Sequence, residues 1–146
     1  MQQFVIHLEN DKDALKLLAK IGKTLGDNQI DIVSMAGTSA FGICTAVLFT
    51  DNEEATHQIL RDLNISVSKQ NVIVAALPDI PGTFGNFAQL LFDQGIRVYS
   101  FYLLRYSNEH PHYAYTVDEA DFEKAQAFLD ASAFLQITDN PKKSCQ

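Results

Sequence analysis

Val72-Ile73-Val74-Ala75-Ala76-Leu77-Pro78-Asp79-Ile80-Pro81-Gly82-Thr83-Phe84 sets an apolar run against an abrupt Pro-Asp-Ile-Pro-Gly stop, and a helical pattern begins at once. A short apolar run bounded by Pro and Gly reads as a buried strand. Pro81 suits the first turn of a helix, where its missing N–H costs nothing, and Asp79 is then placed as the N-cap. Gly82 allows another backbone or a small ligand to approach closely. The expected product is a strand that delivers a short, rigid loop onto a helix N-terminus. Such a terminus carries unpaired N–H donors and a partial positive charge, which suit the carboxylate of a small metabolite.

Working outward, that helix runs from Pro81 to Gln94, carries Phe84, Phe87, Leu90, Leu91 and Phe92, and stops at Gly95. A strand follows over 96–105, then a loop containing His110 and Pro111, a strand over 112–117, a helix over 118–130 and a last strand over 134–137. The first half follows the same order. Phe4–Leu8 reads as a strand. Asp11 is a candidate N-cap for a helix with Ala14, Leu15, Leu17, Leu18, Ile21 and Leu25 at helical spacing, and Gly26 is its expected stop. Strands at 30–36 and 43–49 flank a turn at 38–42. Asp51 and Glu54 have capping-box spacing at the start of a second helix, and a short strand over 65–69 closes the unit.

One unit therefore occurs twice, with a period of about 67 residues, Val5-Ile6 answering Val72-Ile73 and Thr50-Asp51 answering Val117-Asp118. The order β-α-β-β-α-β closes as a four-stranded antiparallel sheet with two helices on one face. The fold class is α+β, two tandem ferredoxin-like units over residues 1–70 and 71–138, with a frayed polar tail over 139–146. In the second half both faces of the strands are apolar, whereas an open antiparallel sheet shows water a polar face. The uncovered face is expected to pack on a second sheet, most simply in a homodimer.

Bulk properties narrow the function. The chain of 146 residues has a formal net charge of −7 and 47% hydrophobic residues, so it can form a core. An acidic chain without a basic cluster is a poor nucleic-acid binder. Lys12, Lys16, Lys20 and Lys23 share a helix face, which reads as a solvated face. No apolar run is long enough to cross a membrane. The start of the chain lacks the layout of a signal peptide, so a cytoplasmic location is expected. Cys44 reads as a buried free thiol and Cys145 as a tail thiol, with no disulfide framework. The pair His110 and His112 reads as a solvated loop, and His7 and His57 as structural or surface histidines. No nucleophile, dinucleotide or phosphate-loop motif is present, and no cofactor or metal is implied.

The combination of Asp79-Ile80-Pro81-Gly82, the helix to Gln94, Gly95 and Ile96-Arg97-Val98 with the repeated topology resembles the ACT domain. In the first half, Gln29-Ile30-Asp31-Ile32-Val33-Ser34 resembles the segment that opens the family's second strand, although the preceding loop has no Pro-Gly. The resemblance implies a non-enzymatic regulatory protein that binds an amino acid or similar metabolite. In this family the ligand usually lies between the strand-to-helix loop of one unit and the second strand of its neighbour. The regulated enzyme or regulator would be a separate chain.

Carried onto this sequence, the ligand residues would be Asp79, Ile80, Pro81, Gly82, Thr83, Phe84, Arg97 and Val98, with Asn10, Asp11, Asp31 and Ile32 in the first unit. Backbone N–H groups at Gly82 and Thr83 would take the carboxylate, and Asp79 or strand carbonyls near Arg97 and Val98 the ammonium. Arg97 stands where the family often has Asn and would favour an acidic ligand or fill the pocket, whereas Asp31 would favour a cation. Two other readings stand beside this one. The Pro-Gly element sets only loop shape, or the chain is a protein-interaction module with degenerate ligand sites.

Overall fold

Alternation of apolar and polar residues makes the strands, and helical spacing of Leu and Ile makes the helices that cover them. The computed structural model describes residues 1–8, 13–40, 43–107, 110–132 and 135–136. Asn10, Asp11, Lys12 and the tail over 139–146 lie outside the described residues. The chain divides into two compact units, one beginning at Gln2 and the other at Asn71.

In the first unit, β1 (Gln2–Leu8) pairs antiparallel with β3 (Ile43–Thr50), with Phe4 opposite Leu48, Ile6 opposite Ala46 and Leu8 opposite Cys44. β2 (Ile32–Ala40) pairs antiparallel with β3 through a bulge between Ile32 and Ser34. β4 (Val67–Asn71) lies at the other edge, giving the order β2-β3-β1-β4. Helices α1 (Ala14–Asp27) and α2 (Glu53–Asp62) cover one face. Phe4, Ile6, Ile21, Leu25, Leu48 and Leu60 form the core, each nearly or fully buried. Burying each such side chain contributes about 1.5–3 kcal/mol.

The second unit repeats this plan. β5 (Ile73–Ala76), β6 (Val98–Ser107), β7 (His110–Val117) and β8 (Leu135–Gln136) form a sheet in the order β6-β7-β5-β8. α3 (Thr83–Asp93) and α4 (Phe122–Ala131) enclose a core that includes Ile73, Leu77, Phe87, Leu91, Tyr115 and Leu129. The two ferredoxin-like sheets agree with the fold class expected from the sequence.

The strand pairings correct one of the two register anchors. Leu48 and Tyr115 are equivalent, as the Thr50 and Val117 match requires, but the residue opposite Leu48 is Phe4 and the one opposite Tyr115 is Ile73. Phe4, not Ile6, therefore matches Ile73. The slip of two residues keeps the same face inward, so alternation alone could not expose it.

Several element ends differ from expectation. Gly26 lies inside α1. The left-handed residue that ends the helix is Gln29, at φ 58°, with Ile30 N–H donating to Leu25 O at 3.0 Å. α2 ends the same way at Asn64, φ 55°, with Ile65 N–H to Leu60 O, and α3 at Gly95, φ 67°, with Ile96 N–H to Leu91 O. These are Schellman stops, each followed by a buried isoleucine. At α2 the cap is Asn52, whose Oδ1 accepts from Ala55 N–H at 3.1 Å, rather than Asp51 in a capping box. Before α4 a 3-10 turn, Glu119–Asp121, is inserted behind Asp118, whose carboxylate accepts from Ala120 N–H.

The sheet faces away from the helices are also apolar. Val74 and Ala114 there are 1% and 0% exposed within a single chain, as is Phe49 in the first unit at 1%.

Candidate functional site

The loop from Leu77 to Gly82 is shaped by its own main chain. Leu77 N–H donates to Pro111 O at 3.0 Å and Ile80 N–H to Pro78 O at 2.9 Å. Thr83 N–H then donates to Ile80 O at 3.1 Å, closing a turn with Pro81 second and Gly82 third. Gly82 has φ 91° and ψ −14°, and Pro followed by a left-handed Gly is the signature of a type II turn. A Cβ at Gly82 would meet nothing within 4 Å, so Gly is required there by backbone conformation and not by space.

This geometry revises three expectations. Gly82, not Asp79, is the N-cap of α3, and it makes no side-chain cap bond. Pro81 stands in the turn ahead of the helix. The Thr83 N–H is consumed by the turn. The first bond of the helical ladder is Asn86 N–H to Gly82 O, so the donors left at the helix start are those of Phe84 and Gly85.

Asp79 serves the loop in another way. Its Oδ2 accepts from Tyr106 Oη at 2.7 Å, tying the loop to the end of β6. Phe84 stands edge-on to Phe101, with ring centroids 4.8 Å apart, and leans on Tyr113 at 6.0 Å. Phe101, Tyr113 and Tyr106 belong to the site, and the sequence reading did not include them. Their signal was alternation on a strand, which cannot say which loop the strand's end reaches. The rim is apolar and open, with Ile80 65%, Phe84 50% and Leu103 51% exposed. The loop end thus offers one carboxylate, a helix start with two free donors and an apolar wall.

Arg97 and Val98 lie elsewhere. β6 runs parallel to β5, because both are antiparallel to β7. Its end meets the loop and its start lies at the opposite side of the sheet. From Val98 to Tyr106 is about 26 Å, at about 3.3 Å per residue. Within one unit, Arg97 and Val98 therefore do not join Asp79–Phe84. Arg97 is bound into a local cluster. Its guanidinium pairs with Asp118 Oδ2 at 3.0 Å, its N–H donates to Asp121 Oδ2 at 3.3 Å, and Tyr99 Oη donates to the same Asp118 oxygen at 2.9 Å. The Tyr99 hydrogen bond, then the Ala120 N–H and the Arg97 charge, hold the Asp118 carboxyl below its ordinary range. The same bond pushes the Tyr99 phenol up.

In the first unit Asp31 occupies the place of Arg97. Asp51 N–H donates to Asp31 O at 3.2 Å, as Asp118 N–H does to Arg97 O at 3.3 Å. Asp31 N–H in turn donates to Asp51 Oδ1 at 2.8 Å. Ile32 is half-buried against the first core. Both equivalent positions clamp a strand start to a helix start, whichever charge the side chain carries.

The His110 and His112 pair is not a solvated loop, because both residues stand on β7. His112 is buried, with Nδ1 accepting from Arg105 Nε–H at 3.3 Å, and burial followed by the Arg105 charge lowers its pKa. Among the described residues no group of three or more His, Cys, Asp or Glu could hold a metal ion. No described helix is long and apolar enough to cross a membrane.

Solved structures share this fold. Protein BT0572 from Bacteroides thetaiotaomicron superposes with a TM-score of 0.78 at 15% identity, covering 93% of this chain and 90% of that one. The regulatory subunit of aspartate kinase from Thermus thermophilus gives 0.63 at 12% identity, covering 90% and 91%. A structure of aspartokinase alpha and beta subunits gives 0.59 at 16% identity, covering 88% of each chain. No family model matches the sequence, and no curated protein matches it. The likeness extends over nearly the whole chain. What is shared is the fold, two tandem ferredoxin-like units.

Proposed function

We propose that the chain is a non-catalytic regulatory protein of the ACT type, which binds an amino acid or related small metabolite at a junction between ACT units. The observation that carries this reading is the separation of the two half-sites along β6. The loop end holds the Asp79 carboxylate and the helix-start donors, and the strand start holds Arg97 and Val98. β6 is at the end of its sheet, with β7 on one side only. A neighbouring edge strand running antiparallel would bring its own start against the loop, completing a site with groups of both signs for a zwitterion. A second copy of the chain is one source of such an edge, which keeps the homodimer in the proposal. The signal would pass to a separate enzyme or regulator chain through different affinities for two packings of the units. The aspartate kinase regulatory subunits support this reading by analogy of fold.

A thermal-shift screen against the twenty amino acids tests it. A ligand at about 100 times its Kd adds about 2.7 kcal/mol of stability. One selective stabiliser is expected, with the effect lost in Asp79→Ala. A second reading, a protein-interaction module, draws on the open rim of Ile80, Phe84 and Leu103. A flat screen on folded protein, with a partner chain captured by wild type and not by Phe84→Asp, would favour it.

A further inference from the structure

A further concave feature lies in the first unit, at the β4 edge of its sheet. It is a cleft of about 680 Å³ between the flank of α1, the end of β1 and the segment joining α2 to β4. Small-molecule sites span about 300–1,000 Å³. Leu8, Leu17, Leu63 and Ile65 supply apolar lining, and Lys16 and Lys20 stand over it on α1. These lysines are one helical turn apart, about 5–6 Å between their Cβ atoms. Neither ammonium has an ion-pair or hydrogen-bond partner among the described residues. Asp13 lies in the same lining, as do His7, Asn64 and Ser66.

The repeat shows that the fold does not require these two lysines. Leu25 and Leu91 occupy the same place in their helix stops. In that register Lys20 answers Asn86 on α3 and Lys16 answers Gly82 just ahead of it, neither of them charged. A stripe needed only to hold the helix in solution would not need to border a cleft. The lysines lie beside apolar lining, where an anion's hydrocarbon part can leave water while its charge meets the ammonium groups.

We infer that this cleft is a second ligand site, separate from the junction, which takes a small organic anion with an aliphatic part. Lys16 and Lys20 bind the anionic head, and Leu17, Leu63 and Ile65 receive the chain. All of its described lining belongs to the first unit, so the proposal does not rest on the junction reading.

The test is an amide NMR titration of the intact chain with hexanoate, 1-hexanol and inorganic phosphate, each at millimolar concentration. Hexanoate should shift the amides of residues 16–20 and 64–66 saturably, and more tightly than either control. Lys16→Gln with Lys20→Gln should weaken it by about tenfold. Both lysines are exposed, and the spectrum itself reports whether the variant is folded. Non-saturating shifts, equal binding of phosphate, or undiminished affinity in the double variant would each overturn the proposal. Shifts confined to residues 79–84 would overturn it too, while supporting the junction site.

Discussion

The two units share one backbone plan and differ in what they show to solvent. α1 presents Lys16, Lys20 and Lys23, whereas α3 and β6 present Phe84, Phe92, Tyr99, Leu103 and Tyr106. Their strand-to-helix loops differ as well. Leu8 and Ile21 are thirteen positions apart, and the equivalent Leu77 and Phe87 only ten. The shorter loop is the one pinned by a type II turn and by the Tyr106–Asp79 bond. Duplication kept the parts that bury apolar surface and stop helices.

The comparison breaks first in the cores. Ile21 and Phe87 are equivalent, but Phe87 also sits 5.7 Å from the Tyr115 ring and 6.0 Å from Phe101. Phe87→Ala should cost about 3–5 kcal/mol and Ile21→Ala about 2–5, with Phe87 the larger. Urea unfolding measures both, and near-UV circular dichroism should change only for Phe87→Ala.

The helix stops sharpen it at smaller scale. Gly95→Ala places a side chain at φ 67° with nothing within 4 Å of its Cβ, so its cost is backbone strain of about 1–2 kcal/mol. Gln29→Gly, at the matching position of the first unit, should move stability the other way by less than about 1 kcal/mol. If the two changes share a sign, the stops are not equivalent.

The Asp118 cluster has no counterpart of opposite charge in the first unit, where Asp31 replaces Arg97. The Asp118 pKa is depressed on folding, so its contribution is present above the ordinary value of 3.8 and is lost as pH falls through the folded value. In Tyr99→Phe the titration midpoint of Asp118, followed by carboxyl-carbon NMR, should rise toward that ordinary value. Arg97→Ala should change stability least, by under about 1 kcal/mol, because the guanidinium is 74% exposed.

Much of this was legible before any coordinates. Period-2 and helical spacing located the elements, and the Pro-Asp-Ile-Pro-Gly stop marked a short loop ahead of a helix. A sharper repeat went unread. Leu25-Gly-Asp-Asn-Gln-Ile30, Leu60-Arg-Asp-Leu-Asn-Ile65 and Leu91-Phe-Asp-Gln-Gly-Ile96 are the same helix stop three times. Only the last carries Gly at its left-handed position, so the glycine rule found that one and misplaced the first stop at Gly26. The roles of Asp79 and Arg97 were not legible. A carboxylate near a helix start can cap the helix, bind a ligand or bond a distant phenol, and sequence spacing does not distinguish these.

The sequence by itself determined the repeat, the order of elements, the inward faces and the glycine stop at 95, because each follows from local sterics or from burying a periodic apolar face. Tertiary structure alone decided that Tyr106 reaches Asp79 and that Arg97 closes on Asp118. It also decided that the two halves of the candidate site lie at opposite ends of β6. Those pairings join residues 27 and 21 positions apart. Strand direction in the closed sheet chooses them, and local spacing carries no trace of that choice.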